Sequence, residues 1–322
     1  MKNNGVRAAW DSMKKAIPLL IIIALFTTCS VNLESSIPQY LDEKHEAGLK
    51  EKFVGKAAFE LFYKDKSLNE LIREFAPVDI SAGIYNYGGI IIFLGIARFN
   101  DQDEAFGVYS GLTSMPRERW SSSKGELSYK NPYFAGQLGR YAFWFYSPTN
   151  PGTYTHFYKI YGDALLEKLN IGTDAALSYH WKLLPEENRF RDSVFYIRAR
   201  DMHGIRINNA YGAVYQAGRN KGYIYIEKHY TEKNAELRME DLRDSLTDSG
   251  QVIQKFPSLP GGPAGAISWT EGGSINVIYR YRWMTFILIG MPDKGFAENF
   301  IRNIYKNMIR IRSEVVPAKK SE

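Results

Sequence analysis

Chemistry needs side chains that titrate, attack or hold a metal, and in this chain they are sparse. The five histidines, His45, His156, His180, His203 and His229, stand far apart. None sits at metal-ligand spacing from another and no His-Glu-x-x-His occurs, so no metal site is expected. Asp101-Gln102-Asp103-Glu104 begins like a calcium loop. It then places Ala105 and Phe106 where a ligand and the turn glycine belong, and Gly107 arrives one place late. The same acids read better as a helix start, where they cap free N–H groups and meet the positive end of the dipole. Gly261-Gly262-Pro263-Ala264-Gly265 lacks the Gly-Lys-Ser/Thr of a phosphate loop, and no Gly-x-Ser-x-Gly elbow occurs. Acid–base catalysis would need two carboxylates converging in one cleft. Asp163, Glu227 and Glu271 are available, and no motif links them. No catalytic residue is assigned and no cofactor is expected. Aromatic stretches with Asn and Gly could stack on sugars: Tyr85-Asn86-Tyr87, Tyr129-Lys130-Asn131-Pro132-Tyr133-Phe134 and Trp269. Sheet and turn packing explains the same residues more simply.

Cys29 is the only thiol. A lone cysteine closes no internal disulfide, so its setting carries the information. Lys2, Arg7, Lys14 and Lys15 precede an apolar run from Ile17 to Phe26, and Thr27-Thr28-Cys29-Ser30 follows. That order is a secretory signal, and the run is well short of the ~20 apolar residues that span a bilayer. A cysteine directly after such a run is placed as in bacterial lipoproteins, where it is lipidated after cleavage. Phe26 and Thr28 stand where Leu and a Gly, Ala or Ser are usual. Ordinary cleavage after Ser30 and an uncleaved anchor are the alternatives. All three place the folded part outside the cytoplasm, and the lipidated form holds it at a membrane through Cys29.

Elements must then position whatever function the folded part has. Apolar residues make up 45% and aromatics 14%, enough for a core and favourable to strands. Lysine and arginine number 41 against 35 acids, net +6, spread without a basic stripe, which points away from nucleic acid. Residues 1–29 read as the signal and 30–48 as a tether. A helix is expected over Leu49–Tyr63, and a capping box at Ser67–Glu70 starts a second. Ile84–Tyr87 and Ile90–Phe99 read as strands about a Gly88-Gly89 turn. Asn100–Asp103 caps a helix through Tyr109. A Gly/Ser-rich loop, an aromatic strand Arg140–Tyr146 and a helix from Tyr154 to Leu169 complete a first α+β unit over 49–180.

A second unit, 190–312, shows the same order. Tyr223–Tyr230 is a strand and Thr231 caps a helix with Ala235, Met239, Leu242 and Leu246 inward. Ile275–Tyr281 and Trp283–Ile289 are strands, and Pro292-Asp293 opens a last helix before a polar tail, 313–322. Phe93–Phe99 aligns with Ile224–Tyr230, and Phe143–Phe145 with Phe286–Leu288. The expected fold is α+β: antiparallel sheets with helices packed on one face, in two related strand-helix-strand-strand-helix units.

Glu104-Ala105-Phe106-Gly107-Val108-Tyr109-Ser110 follows an acidic-Ala-Phe-Gly-Val-Tyr-Ser pattern, and Gly55–Tyr63 carries an Ala pair on a helix. On these runs, within Leu49–Leu169, the chain resembles a family of uncharacterised bacterial exported proteins, many of them lipoproteins. The resemblance implies an α+β fold outside the cytoplasm and no activity. Physically, Phe106 and Tyr109 share a helix face, and Gly107 lets another ring approach. Packing is the first reading of these three residues and ligand contact the second. The residues thus predict an exported, membrane-anchored binding or structural module of the envelope, with a protein or polysaccharide partner. An envelope enzyme acting on glycan or lipid is the alternative, and assembly through Tyr-rich edge strands a third reading.

Overall fold

The computed structural model describes residues 32–39, 41, 47–62, 65–113, 118–120, 126–130, 132–148, 155–169, 182–191, 193–256 and 265–315. Residues 1–31 with Cys29, residues 257–264 with the Gly261-Gly262-Pro263-Ala264 run, and residues 316–322 lie outside the described residues. Two antiparallel seven-stranded sheets and the helices on them make an α+β fold. The first half contains β1 (Gly48–Val54), α1 (Gly55–Leu61), α2 (Lys66–Phe75), β2 (Asp79–Tyr87), β3 (Ile90–Arg98) and α3 (Gln102–Leu112). It continues with β4 (Glu118–Trp120), β5 (Glu126–Lys130), β6 (Tyr133–Leu138), β7 (Tyr141–Tyr146) and α4 (Thr155–Leu169). The second half contains β8 (Phe195–Met202), β9 (Ile205–Ala217), β10 (Asn220–Lys228), α5 (Glu232–Asp248) and β11 (Gln254–Lys255). It ends with β12 (Ala266–Glu271), β13 (Ser274–Tyr281), β14 (Met284–Met291) and α6 (Lys294–Val315).

The sheet orders are β1-β2-β3-β7-β6-β5-β4 and β8-β9-β10-β14-β13-β12-β11, which is one topology used twice. The match extends to single hydrogen bonds. Phe99 N donates to Arg140 O at 2.9 Å, and His229 N to Trp283 O at 2.8 Å. Asp101 caps α3 and Thr231 caps α5, each accepting from the N–H three residues on. Phe99 therefore corresponds to His229, one residue off the alignment read from the apolar pattern. Alternating side chains make that pattern insensitive to the choice of neighbour when both faces are apolar. The units share a frame of three strands, a helix, four strands and a helix. The halves differ where β1 and β2 are joined by α1 and α2, whereas β8 and β9 share the tight His203-Gly204 turn, both residues at positive φ.

Three local expectations change. Residues 48–54 form a strand paired with β2, and Gly55, at φ 55°, turns the chain into a helix of only seven residues. The helical spacing of Ala57, Ala58 and Leu61 was real but began later than Leu49. The cap of α2 is Asp65, whose Oδ1 accepts from Leu68 N at 3.1 Å, in place of Ser67. Residues 30–48 are more than a tether: Leu33, Ile37, Leu41 and Ala47 are buried beneath the first sheet.

The helices also cover more than one face. β3 and β7 are apolar on both sides, so each side demands a cover. Trp144 packs edge-on against Phe62 on one face, while Phe143 and Phe145 point to the other, where Tyr158 of α4 stacks on Phe145. Fully burying Phe143 and Phe145 contributes roughly 1.5–3 kcal/mol each. In α4, Tyr158, Leu165, Leu166 and Leu169 face inward. α3 and α6 belong to one core shared by both sheets, and α5 covers the outer face of the second sheet.

Candidate functional site

The residues singled out from sequence are mostly packing residues. Tyr85 is fully buried and donates to Pro38 O at 2.6 Å, on the α4 side of the first sheet. Asn86 accepts from Gly89 N at 2.9 Å and so builds the β2–β3 turn; Tyr87 lies half-buried beside it. Trp269 is buried under α5. Tyr109 is fully buried with its hydroxyl 2.5 Å from Ser128 Oγ. Gly107 lies against the Phe75 ring, and Phe106 packs on Tyr211 of β9. Phe106 thus touches the second unit. The candidates do not converge: Tyr85 and Trp269 belong to different cores.

Of the three carboxylates considered for acid–base work, Glu227 is fully buried and spent. It accepts from Arg238 Nε at 2.7 Å and Nη2 at 2.8 Å, and from Asn208 N at 2.9 Å. Such a bidentate, fully satisfied carboxylate holds structure. Asp163 lies on α4 in the first unit and Glu271 at the exposed end of β12 in the second.

A cleft opens where the start of α3 meets the second sheet. Asp101, Asp103 and Glu104 form one wall; Tyr196, Arg198, Asn209 and Tyr211 form the other. Lys228, His229 and Tyr230 close it at the end of β10, around a cavity of about 340 Å³. A second cavity of about 340 Å³ runs on toward α5, lined by Asn208, Asn234, Leu237, Arg238 and Asp241. Asn209, Lys228 and His229 border both, so these are two arms of one cleft.

Local sequence makes the cleft. Asn209 sits at φ 45°, a left-handed conformation that Asn tolerates better than most residues. The β9–β10 pairing ends beside it, at Ala210 and Glu227, and Asn208 N–H donates to the Glu227 side chain instead. The wall is bolted across units: Tyr211 donates to Asp103 Oδ1 at 2.6 Å, and Tyr196 N to Ser110 Oγ at 3.2 Å. Arg198 Nη1 donates to Glu74 O at 2.9 Å and lies 3.6 Å from Glu104 Oε1. Arg200 pairs with Glu74 at 2.8 Å.

Electrostatics follow from that crowding. Burial raises the Glu104 carboxyl, and Asp101 adds to it; Arg198 and the Asn100 N–H pull the other way. Burial, with Asp103, Asp101 and Glu104, pushes the Tyr196 hydroxyl well above the ordinary phenol range. Burial lowers His229, Glu227 opposes and Arg238 assists; His229 Nε2 meets Thr285 Oγ1 at 3.0 Å.

The His229 shift has a sign that can be tested. Its folded value lies below the unfolded 6.5, so the unfolded chain binds more protons in that window. Its share of stability is whole above about pH 6.5 and is lost as pH falls through the folded value. Denaturant titrations from about pH 7.5 to about pH 5.5 should show falling stability, and His229→Gln should flatten that slope. His203, also lowered by burial, keeps part of the slope in the variant.

Sequence reasoning missed Arg198, Asn209, Lys228 and Tyr230. One signal was present: Tyr230 directly precedes the Thr231 helix cap, where an apolar residue usually packs back on the helix. Comparisons of the chain with protein-family models, with curated proteins and with solved structures each find no match.

Proposed function

We propose that this chain is exported, is held at a bacterial membrane by its N-terminus, and works in the envelope as a non-catalytic binding module. The observation that carries the binding part is the two-armed polar cleft at the junction of the units, open to solvent yet framed by cross-unit bonds. Clefts with a few convergent polar groups, seated between rigid units, are where ligands bind. The export part rests on the Lys/Arg-flanked apolar run and Cys29. Among the described residues no helix is long and apolar enough to cross a membrane.

Two measurements test this. The intact mass of the full chain extracted from membranes should equal a product beginning at Cys29 plus acyl groups; a mass retaining Met1 would refute cleavage. The same detergent-purified protein should co-sediment saturably with isolated envelope polysaccharide or membrane fractions, and Lys228→Ala should weaken this. Absence of saturable binding to every fraction would overturn the module.

The enzyme reading has one observation in its favour: Glu104, its carboxyl raised by burial, borders the cleft. Its Oε2, however, accepts from Asn100 N at 3.2 Å, which commits it to the start of its own helix.

A further inference from the structure

We infer that the ligand is a neutral polyhydroxylated molecule, an oligosaccharide, with one ring stacked on Tyr230 and the next reaching into the α5 arm. This rests on the binding-module reading. The first ground is Tyr230 itself. It occupies the position before a helix cap, where a large apolar side chain normally packs against the residue four places into the helix. That residue, Ala235, is fully buried by other groups, and Tyr230 is 99% exposed. A ring in that posture forgoes its own burial and stands in solvent beside the cleft that Tyr230 borders, with its faces uncovered.

The second ground is the mix of donors and acceptors behind that ring. Asp101 accepts, Lys228 donates and Asn209 does both, while Asp103, Glu104 and Arg198 beside them are already tied to Tyr211, Asn100 and Glu74. A hydroxyl also donates and accepts, so a polyol satisfies either wall. A simple anion would meet three carboxylates on one side, at close range and in a partly desolvated space. A small cation would share the space with Arg198 and Lys228, and no acidic or histidine cluster of metal-holding arrangement is present among the described residues.

The third ground is extent. Each arm, at about 340 Å³, falls at the small end of ligand pockets, so the pair suits more than one ring. The second arm adds Asn208 and Asn234, amides of the same dual character. Asn209, which borders both arms, is held next to Asn208, whose N–H is fixed by Glu227 and Arg238, so this wall is set by bonds within the protein.

The test uses the full chain in mild detergent, titrated calorimetrically with chitotriose, cellotriose and maltotriose, with choline chloride and inorganic phosphate as charged probes. At least one trisaccharide should bind saturably, Tyr230→Ala should weaken it about tenfold or more, and Tyr230→Trp should retain it. Circular dichroism should show both variants folded; Lys228→Ala, on an exposed side chain, gives a second variant at the same cleft. The inference is overturned if no trisaccharide binds up to about 10 mM, if Tyr230→Ala binds like the parent, or if choline or phosphate binds in their place. Should the trisaccharides fail while envelope fractions still bind in a Lys228-dependent way, the saccharide assignment falls and the module reading survives. Failure of both removes both.

Discussion

Replacing Arg238 with alanine should lower the unfolding free energy by about 3–5 kcal/mol, read from denaturant midpoints. The reason is the partner left behind. Glu227 is fully buried, and both its oxygens face Arg238 nitrogens within 2.8 Å. Removing the guanidinium strands a carboxylate that water does not reach. The first unit shows the alternative. Counting from the helix caps Asp101 and Thr231, Glu227 and Arg238 correspond to Ala97 and Val108, which are fully buried apolar neighbours in the core. The double substitution Glu227→Ala with Arg238→Val should therefore cost less than Arg238→Ala alone. It will not be free, because Asn208 N–H loses its acceptor, a penalty of about 1–3 kcal/mol. A double-mutant cycle with coupling below about 0.5 kcal/mol would show that the pair is not the strut described here.

Gly107→Ala should destabilise by about 1–3 kcal/mol, although alanine is the better helix former by about 1 kcal/mol. An added Cβ would overlap the Phe75 ring. That ring is 1% exposed and lies 6.1 Å, centroid to centroid, from Tyr196, so it has little room to yield. The same helix repeats the device at Gly111, whose Cβ would meet Leu71 Cδ2 at 2.5 Å. Phe75→Leu in the Gly107→Ala background should restore part of the loss. If Gly107→Ala proves as stable as the parent, the close packing of α2 on α3 is not what requires glycine here.

Strong periodic patterns were legible in the sequence. The β2–β3 hairpin, β7, β10, β13, β14 and the helices after them lie close to where apolar spacing and caps put them. The doubled order was legible as well, because cap and strand recur together. β5 and β6 were not: Leu127, Phe134 and Ala135 are buried strand residues inside a stretch whose glycines and serines read as loop. β8 was also missed, since Arg198, Arg200 and Asp201 hide its alternation; two of them turn out to serve cross-unit bonds. The cleft could not be read at all. Its acids lie near residue 101 and its other wall near 196–230, and only the packing of one unit on the other brings them together. The helix-cap reading of Asp101 was correct and complete at the local level, and so gave no hint of a second role.

The way the two halves meet limits how far such stacking can run. The first unit seats the second on α3, through Phe106 and Ser110, while Gly107 and Gly111 admit α2. The matching positions on α5 are Glu236, Leu237, Glu240 and Asp241, all facing water. A head-to-tail contact between like units does not close on itself and would otherwise propagate into a filament. Three carboxylates stand where a third copy would have to dock, so extending the array past α5 in the same way would press Glu236, Glu240 and Asp241 against the next unit and desolvate them.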